Sequence, residues 1–179
     1  FLSVFAGVLA AQQENFDVVL ANGRVMDPES GLDAVRHVGI LNGQIAAISE
    51  TLLRGDVEVD VTGLVVAPGF IDLHAHGQDL FSSRLQVRDG VTTALELEGG
   101  ADDIEDWYAQ REGRAVINYG ATASHGRARS LALGNREAAV REPAGLEHIV
   151  IMENRLREEL GRGALGIGYG IQYTPAARR

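Results

Sequence analysis

The chain has 179 residues, enough for one medium domain or two small ones, and at 45% hydrophobic and 23% charged it reads as an ordinary globular protein without low-complexity tracts. Acidic residues number 25 against 16 basic ones, a net charge of −9, which argues against nucleic acid or an anionic membrane surface as the main partner. Cysteine is absent and all 16 basic residues are arginine, so disulfides, zinc–thiolate clusters, cysteine nucleophiles, Schiff-base lysines, P-loops and carboxylated-lysine metal bridges are excluded within these residues.

Residues 1–13 form an apolar run closed by small residues. A bilayer span takes about 20 residues, so no stable membrane span is expected there. Residues 1–15 read as a truncated signal peptide, which places the protein in the periplasm or outside the cell. If the run is instead a hydrophobic arm, a cytoplasmic location follows.

From 16 to 66 the pattern is that of a small β domain, part of a β-sandwich. Residues 16–20 form a strand, and Asn22-Gly23 signals a tight hairpin turn into 24–26. A second Asn-Gly pair, Asn42-Gly43, joins strands 37–41 and 44–48. Val57-Glu58-Val59-Asp60-Val61 alternates as a half-exposed strand does.

From 67 to 179 strands alternate with helices. Strands are expected at 70–73, 91–97, 115–119 and 164–168. Helices are expected at 102–112, with Ile104, Trp107 and Tyr108 on its inner face, and at 145–160, where Leu146, Ile149, Val150, Glu153, Leu156 and Leu160 share a face. Four strand units in a parallel arrangement are about half of an eight-stranded barrel, which takes ~250 residues. The Gly-rich segment 163–175 then stops without a closing element. The expected fold is therefore α/β: the N-terminal half of a (β/α)8 TIM-like barrel after a small partial β-sandwich domain. As a fragment, it is expected to self-associate through its unpaired strand edges.

The chemistry centres on Gly69-Phe70-Ile71-Asp72-Leu73-His74-Ala75-His76. Side chains alternate along a strand, so His74 and His76 project the same way at its C-terminal end. Two imidazoles on one face there can hold a divalent cation. His125 follows the third strand and either touches substrate or is a loop histidine without a role. His37 and His148 read as structural. The arginines Arg127, Arg129, Arg136 and Arg141 read as a solvated face, with attraction of a substrate carboxylate as the alternative.

Residues 65–76 resemble the start of the barrel in the amidohydrolase superfamily, and Gly90-Val91-Thr92-Thr93 resembles its second barrel strand. Residues 163–175 resemble the fourth strand of the D-aminoacylase (N-acyl-D-amino-acid deacylase) branch, and Asn118-Tyr119-Gly120 through His125-Gly126 is similar, more weakly, to its third. The resemblance implies a metal-dependent hydrolase of amide bonds, with one or two divalent cations, zinc by preference, activating water. His74 and His76 match the family's first two metal ligands. Tyr173 matches the Tyr of a Tyr-x-Pro segment and either contacts an acyl-amino acid or packs the barrel mouth.

A second metal needs a bridge, and the cysteine that D-aminoacylases carry at the end of the second strand is absent. Ala94-Leu95-Glu96-Leu97-Glu98-Gly99-Gly100 stands there. Two carboxylates on one face of a barrel strand cost several kcal/mol if buried unpaired, and metal coordination relieves that cost. Glu98, nearer the rim, is the expected bridging ligand, with Glu96 as a supporting residue or a further ligand; a solvated strand face is the alternative. The catalytic acid/base is not assigned, because the resemblance places it, with the remaining ligands, after Arg179.

The implied substrate is a small N-acyl amino acid or related amide. A dihydroorotase- or hydantoinase-like cyclic amidase is the second reading, and a non-catalytic binding module derived from the barrel is the third. Substrate chirality and oligomeric state are left open.

Overall fold

The structure, a computed structural model, describes residues 15–77 and 79–170. The suspected leader and Tyr173 lie outside the described residues. The chain divides into two compact units between Pro68 and Gly69.

The first unit holds strands β1 (Asn15–Asp27), β2 (Leu32–Leu41), β3 (Gln44–Ser49), β4 (Arg54–Asp60) and β5 (Val65–Val66). They form one sheet in the order β3-β2-β1-β4, with β5 also pairing β1. Strand β1 is antiparallel to β2 but parallel to β4 and β5, so the sheet is mixed. Phe16, Val19 and Ala21 are its buried centre, backed by Leu41, Ala47 and Leu53.

The two Asn-Gly pairs part company here. Asn42-Gly43 makes the expected β2–β3 turn, with φ of 53° and 73°. Asn22-Gly23 makes no hairpin; it is a bulge inside the single long strand β1. Asn22 does adopt the left-handed conformation, φ 66°. The pairing with β2 nevertheless resumes at Gly23↔Arg36. The irregularity is held by the Asn22 amide, which donates to Asp60 Oδ1 at 3.1 Å, and by its N–H, which donates to His37 Nδ1 at 3.2 Å. The alternating run in β4 is a strand, but its valines are open as well as its acids, because β4 is an end strand of the sheet path.

The second unit runs β6 (Phe70–Asp72), α1 (Leu80–Arg88), β7 (Val91–Ala101), α2 (Ile104–Ala109), β8 (Asn118–Ser124), α3 (His125–Ala132), α4 (Arg136–Arg141), α5 (Leu146–Gly161) and β9 (Ile167–Gly168). Its sheet order is β6-β7-β8-β9, all parallel. The architecture is that of the first half of a (β/α)8 barrel preceded by a small β domain. Side-chain caps set the helix starts: Asp79, Asp103, Ser124 and Asn135 each accept from a backbone N–H of the first turn. Asp103 explains why the expected helix at 102–112 begins only at Ile104. Ala101, Ile104 and Ala121 form the unit's buried cluster, with Trp107 and Tyr108 packed on it as expected. Among the described residues no helix is long and apolar enough to cross a membrane.

Three further expectations need correction. The third strand lies later than 115–119, starting at Asn118, because the N–H groups of Arg114 and Ala115 both turn back to the Arg111 carbonyl. It then continues through Gly120, Ala121, Thr122 and Ala123, small residues buried between neighbours, which lack the bulky β-branched signature of a strand. Arg129 is no part of a solvated face: it is 3% exposed, and its guanidinium donates to the carbonyls of Ala139 (2.6 Å) and Glu142. On α5 the expected apolar stripe is largely open, with Leu146 80% exposed, while Met152 and Glu159 are buried. That helix is turned so that Glu159 Oε2 accepts from the Ile104 N–H at 2.7 Å and Glu159 Oε1 pairs with Arg155 at 2.6 Å and Arg162 at 3.4 Å.

Candidate metal centre

Strand β6 stops at Asp72, so the two histidines lie just past it rather than on it. Asp72 Oδ1 accepts from the His74 N–H at 3.0 Å and begins the departure from the sheet. The intervening Ala75 stays buried, and its N–H donates to the Leu95 carbonyl at 3.0 Å. His74 bridges to Glu96 across the same gap. Tethering the middle residue to β7 keeps the flanking rings on one side: their Nε2 atoms are 3.0 Å apart and their planes nearly perpendicular, at 82°.

Strand β7 supplies the carboxylates through an irregularity. Its pairing with β8 jumps from Glu96↔Ala121 to Ala101↔Ala123, so four residues of β7 oppose Thr122 alone. Thr122 Oγ1 holds the bulge by donating to the carbonyls of Glu96 (3.2 Å) and Leu97 (3.4 Å). Gly100 closes it at φ +74°, with Thr122 O 2.7 Å from where a Cβ would stand. Bulges of this kind re-aim side chains at the rims of barrels. Here Glu98 Oε2 comes 3.1 Å from His74 Nε2 and 3.2 Å from His76 Nε2. Glu96 goes elsewhere: its Oε2 is 2.7 Å from His76 Nδ1, and its Oε1 accepts from the Gly99 N–H at 3.1 Å.

Among the described residues, His74, His76 and Glu98 are grouped as three donors of metal-ligating type. All three atoms at the focus carry lone pairs, so their approach is repulsive unless a proton or a cation lies among them. A zinc-like ion with bonds of about 2 Å and near-tetrahedral angles requires donor separations of roughly 3.0–3.4 Å. The three separations, 3.0, 3.1 and 3.2 Å, fit. The histidine side chains are 65% and 55% exposed, and Glu98 31%, so the focus is open to solvent. The hydrogen bond to Glu96, then its charge, holds the His76 pKa above the ordinary histidine value, with Glu98 adding less.

His125 does not join this group. It opens α3, half-buried, with its ring 4.1 Å from that of Tyr169 in an edge contact. Burial, and then the charge of Arg129, lowers its pKa. His37 and His148 accept backbone N–H bonds from Asn22 and Gly145, consistent with structural roles. The bulge at 97–100 departs from the alternation expected along this strand, and Gly99-Gly100 is its signal in the sequence.

The second unit is thus a parallel half-barrel with two histidines after its first strand and a carboxylate at the rim of its second. No family model matches the chain. Individual relatives do, and they bear out the resemblance to the D-aminoacylase branch. D-aminoacylase from Alcaligenes xylosoxydans xylosoxydans is 29% identical over 94% of this chain and 40% of its own length. A dihydroorotase from Streptococcus pneumoniae is 52% identical over 50% of this chain and 24% of its own. Among solved structures, a D-aminoacylase described for its binuclear metal centre superposes with a TM-score of 0.77 at 25% identity, covering 90% of this chain and 40% of that one. The N-acyl-D-glutamate deacylase of Bordetella bronchiseptica, complexed with zinc and a phosphonate inhibitor, gives 0.70 at 25% identity, covering 93% and 40%. The chain thus spans about two-fifths of the deacylases it matches.

Proposed function

We propose that the chain carries the first metal ligands of a hydrolase of linear amide bonds, an N-acyl-D-amino-acid deacylase-like enzyme, with His74, His76 and Glu98 holding the cation. The observation that carries this reading is the convergence of two imidazole Nε2 atoms and one carboxylate oxygen within 3.2 Å of one another. Zinc is the preferred ion, as one or two ions, because imidazole and carboxylate suit it and the deacylase relative was complexed with it. When bound, such a cation acidifies water and polarises a carbonyl.

The residues present do the holding. The imidazoles are neutral donors, and Glu98 adds one negative charge that offsets part of the cation's. Without cysteine or lysine, a carboxylate is left to bridge two ions, and Glu98, at the focus, is the one assigned to it. The substrate class is a small N-acyl amino acid or related amide, and the open face of the cluster leaves room for one.

A cyclic amidase is the second reading, favoured by the 52% identity to a dihydroorotase over half of the chain. The similarity to deacylases over 94% of the chain favours the first. The test uses the full-length protein loaded with zinc. N-acyl-D-amino acids should be hydrolysed faster than their L-forms and than dihydroorotate or hydantoin. Faster turnover of the cyclic amides selects the second reading. Stoichiometric zinc without hydrolysis of either class selects a binding module. Zinc content unchanged by His74→Ala with His76→Ala rejects the ligand set.

A further inference from the structure

Resting on that reading of His74, His76 and Glu98 as ligands, we propose that Glu96 is the positioning residue of the site: it locks the tautomer of His76 and braces the bulge that delivers Glu98, without being a ligand itself. Four observations converge on it. First, Glu96 Oε2 lies 2.7 Å from His76 Nδ1, on the far side of the ring from Nε2, which faces His74 and Glu98. A carboxylate there is satisfied only if Nδ1 carries the proton, because neutral imidazole has one donor nitrogen and one acceptor nitrogen. The Nε2 lone pair is then presented to the focus. Second, the other oxygen, Oε1, accepts from the Gly99 N–H at 3.1 Å, one residue beyond Glu98. Third, the Glu96 carbonyl accepts from Thr122 Oγ1 at 3.2 Å, at the start of the bulge. Fourth, its side chain is 13% exposed, against 31% for Glu98 and 55% for His76, so it is held from beneath while the ligands face solvent.

One side chain therefore orients two of the three donors. Carboxylates placed behind metal-bound histidines do this generally, and their removal costs roughly 10–100-fold in metal affinity. Glu98 cannot take over, since it meets the Nε2 edge of the same ring.

The experiment has two readouts on the full-length protein. In the metal-free protein, held above the His76 titration range, ¹⁵N NMR should show His76 as the Nδ1–H tautomer in the wild type and in Glu96→Gln. In Glu96→Ala it should move toward Nε2–H, with His74 unchanged. In chelator competition, the zinc Kd should rise on the order of 10–100-fold in Glu96→Ala and less in Glu96→Gln, which keeps one acceptor oxygen. Circular dichroism establishes that each variant is folded; the isosteric Gln carries the test if Ala is not. An Nε2–H tautomer in the wild type overturns the proposal, as does a zinc Kd within twofold of wild type in Glu96→Ala. Loss of zinc from Glu96→Gln as complete as from Glu98→Gln makes Glu96 a ligand and overturns it too. A wild type that takes up no zinc defeats the metal reading instead, and the tautomer measurement still decides the role of Glu96.

Discussion

The second unit contains two carboxylate centres built on opposite principles. Glu159 is 2% exposed and is answered by two permanent cations, Arg155 at 2.6 Å and Arg162 at 3.4 Å, and by the Ile104 N–H, which donates to it at 2.7 Å. Glu98 is partly exposed and, among the described residues, is met by two imidazoles, at 3.1 and 3.2 Å. Guanidinium stays charged across the accessible pH range, so the first centre is closed and its charge is fixed. Imidazole is neutral above its titration, so the second centre keeps an unfilled demand for positive charge. The contrast separates a brace between α5 and α2 from a place where an exchangeable cation can bind.

The largest effect that sharpens this contrast is on folding. Glu159→Ala should destabilise the protein by about 3 kcal/mol, read as a shift of the denaturant midpoint, because it leaves the Ile104 N–H without its acceptor and removes the buried partner of Arg155 and Arg162, which keep Asp103 and Glu158. Zinc stoichiometry of the folded protein should not change; if it does, the two centres are not independent. The counterpart is His74→Ala with His76→Ala. The metal-free stability should move by no more than about 0.5 kcal/mol, as for exposed positions generally. The stabilisation that zinc confers, about 2.7 kcal/mol at a hundredfold excess over Kd, should vanish from the thermal melt.

Gly100→Ala should cost about 1–3 kcal/mol, since Gly100 sits at φ +74° and an added Cβ would stand 2.7 Å from the Thr122 carbonyl oxygen. Because the same bulge delivers Glu98, zinc affinity should fall with stability, whereas Glu159→Ala lowers stability alone. Equal affinity in the Gly100 variant would mean that the bulge does not position the ligand. The smallest effect is a pH dependence at His125. Burial lowers its pKa, so between that value and the ordinary ~6.5 the unfolded chain binds more protons than the folded one. Stability should fall as pH drops through this window, and His125→Leu should flatten the decline in pH-dependent urea melts.

Much of the site was legible because it rests on short-range geometry. The spacing of His74 and His76 places them on one side of an extended segment, and the bond from the Ala75 N–H to the Leu95 carbonyl keeps them there past the end of β6. Glu96 and Glu98 stood out as carboxylates set among leucines. Which imidazole nitrogen each carboxylate meets was not legible, since a regular strand would put both on one face, whereas beside the bulge against β8 Glu98 meets the two Nε2 atoms and Glu96 meets His76 Nδ1. The paired Asn-Gly dipeptides make the same point. Asn22 and Asn42 both adopt positive φ, as their short polar side chains allow, yet one closes a hairpin and the other kinks a continuous strand. Arg129 reads as a surface charge because burial of a charged group depends on partners that local periodicity does not show, here carbonyls 10 and 13 residues away. Glu159 shows the same limit, since its N–H partner at Ile104 is 55 residues away.

The amino-acid order alone determined the chemistry that could arise: a barrel-like alternation of strands and helices, an imidazole pair after the first barrel strand, acids but no thiol or amine on the second, and side-chain caps before the helices. Those features are local, governed by alternation of side chains, backbone conformational preference and donor type. The three-dimensional fold decided which carboxylate meets which imidazole nitrogen, which charges are sealed inside, and where strands end. Those outcomes depend on register between segments distant in sequence, where a single bulge redirects a side chain that periodicity alone would have left on the common face.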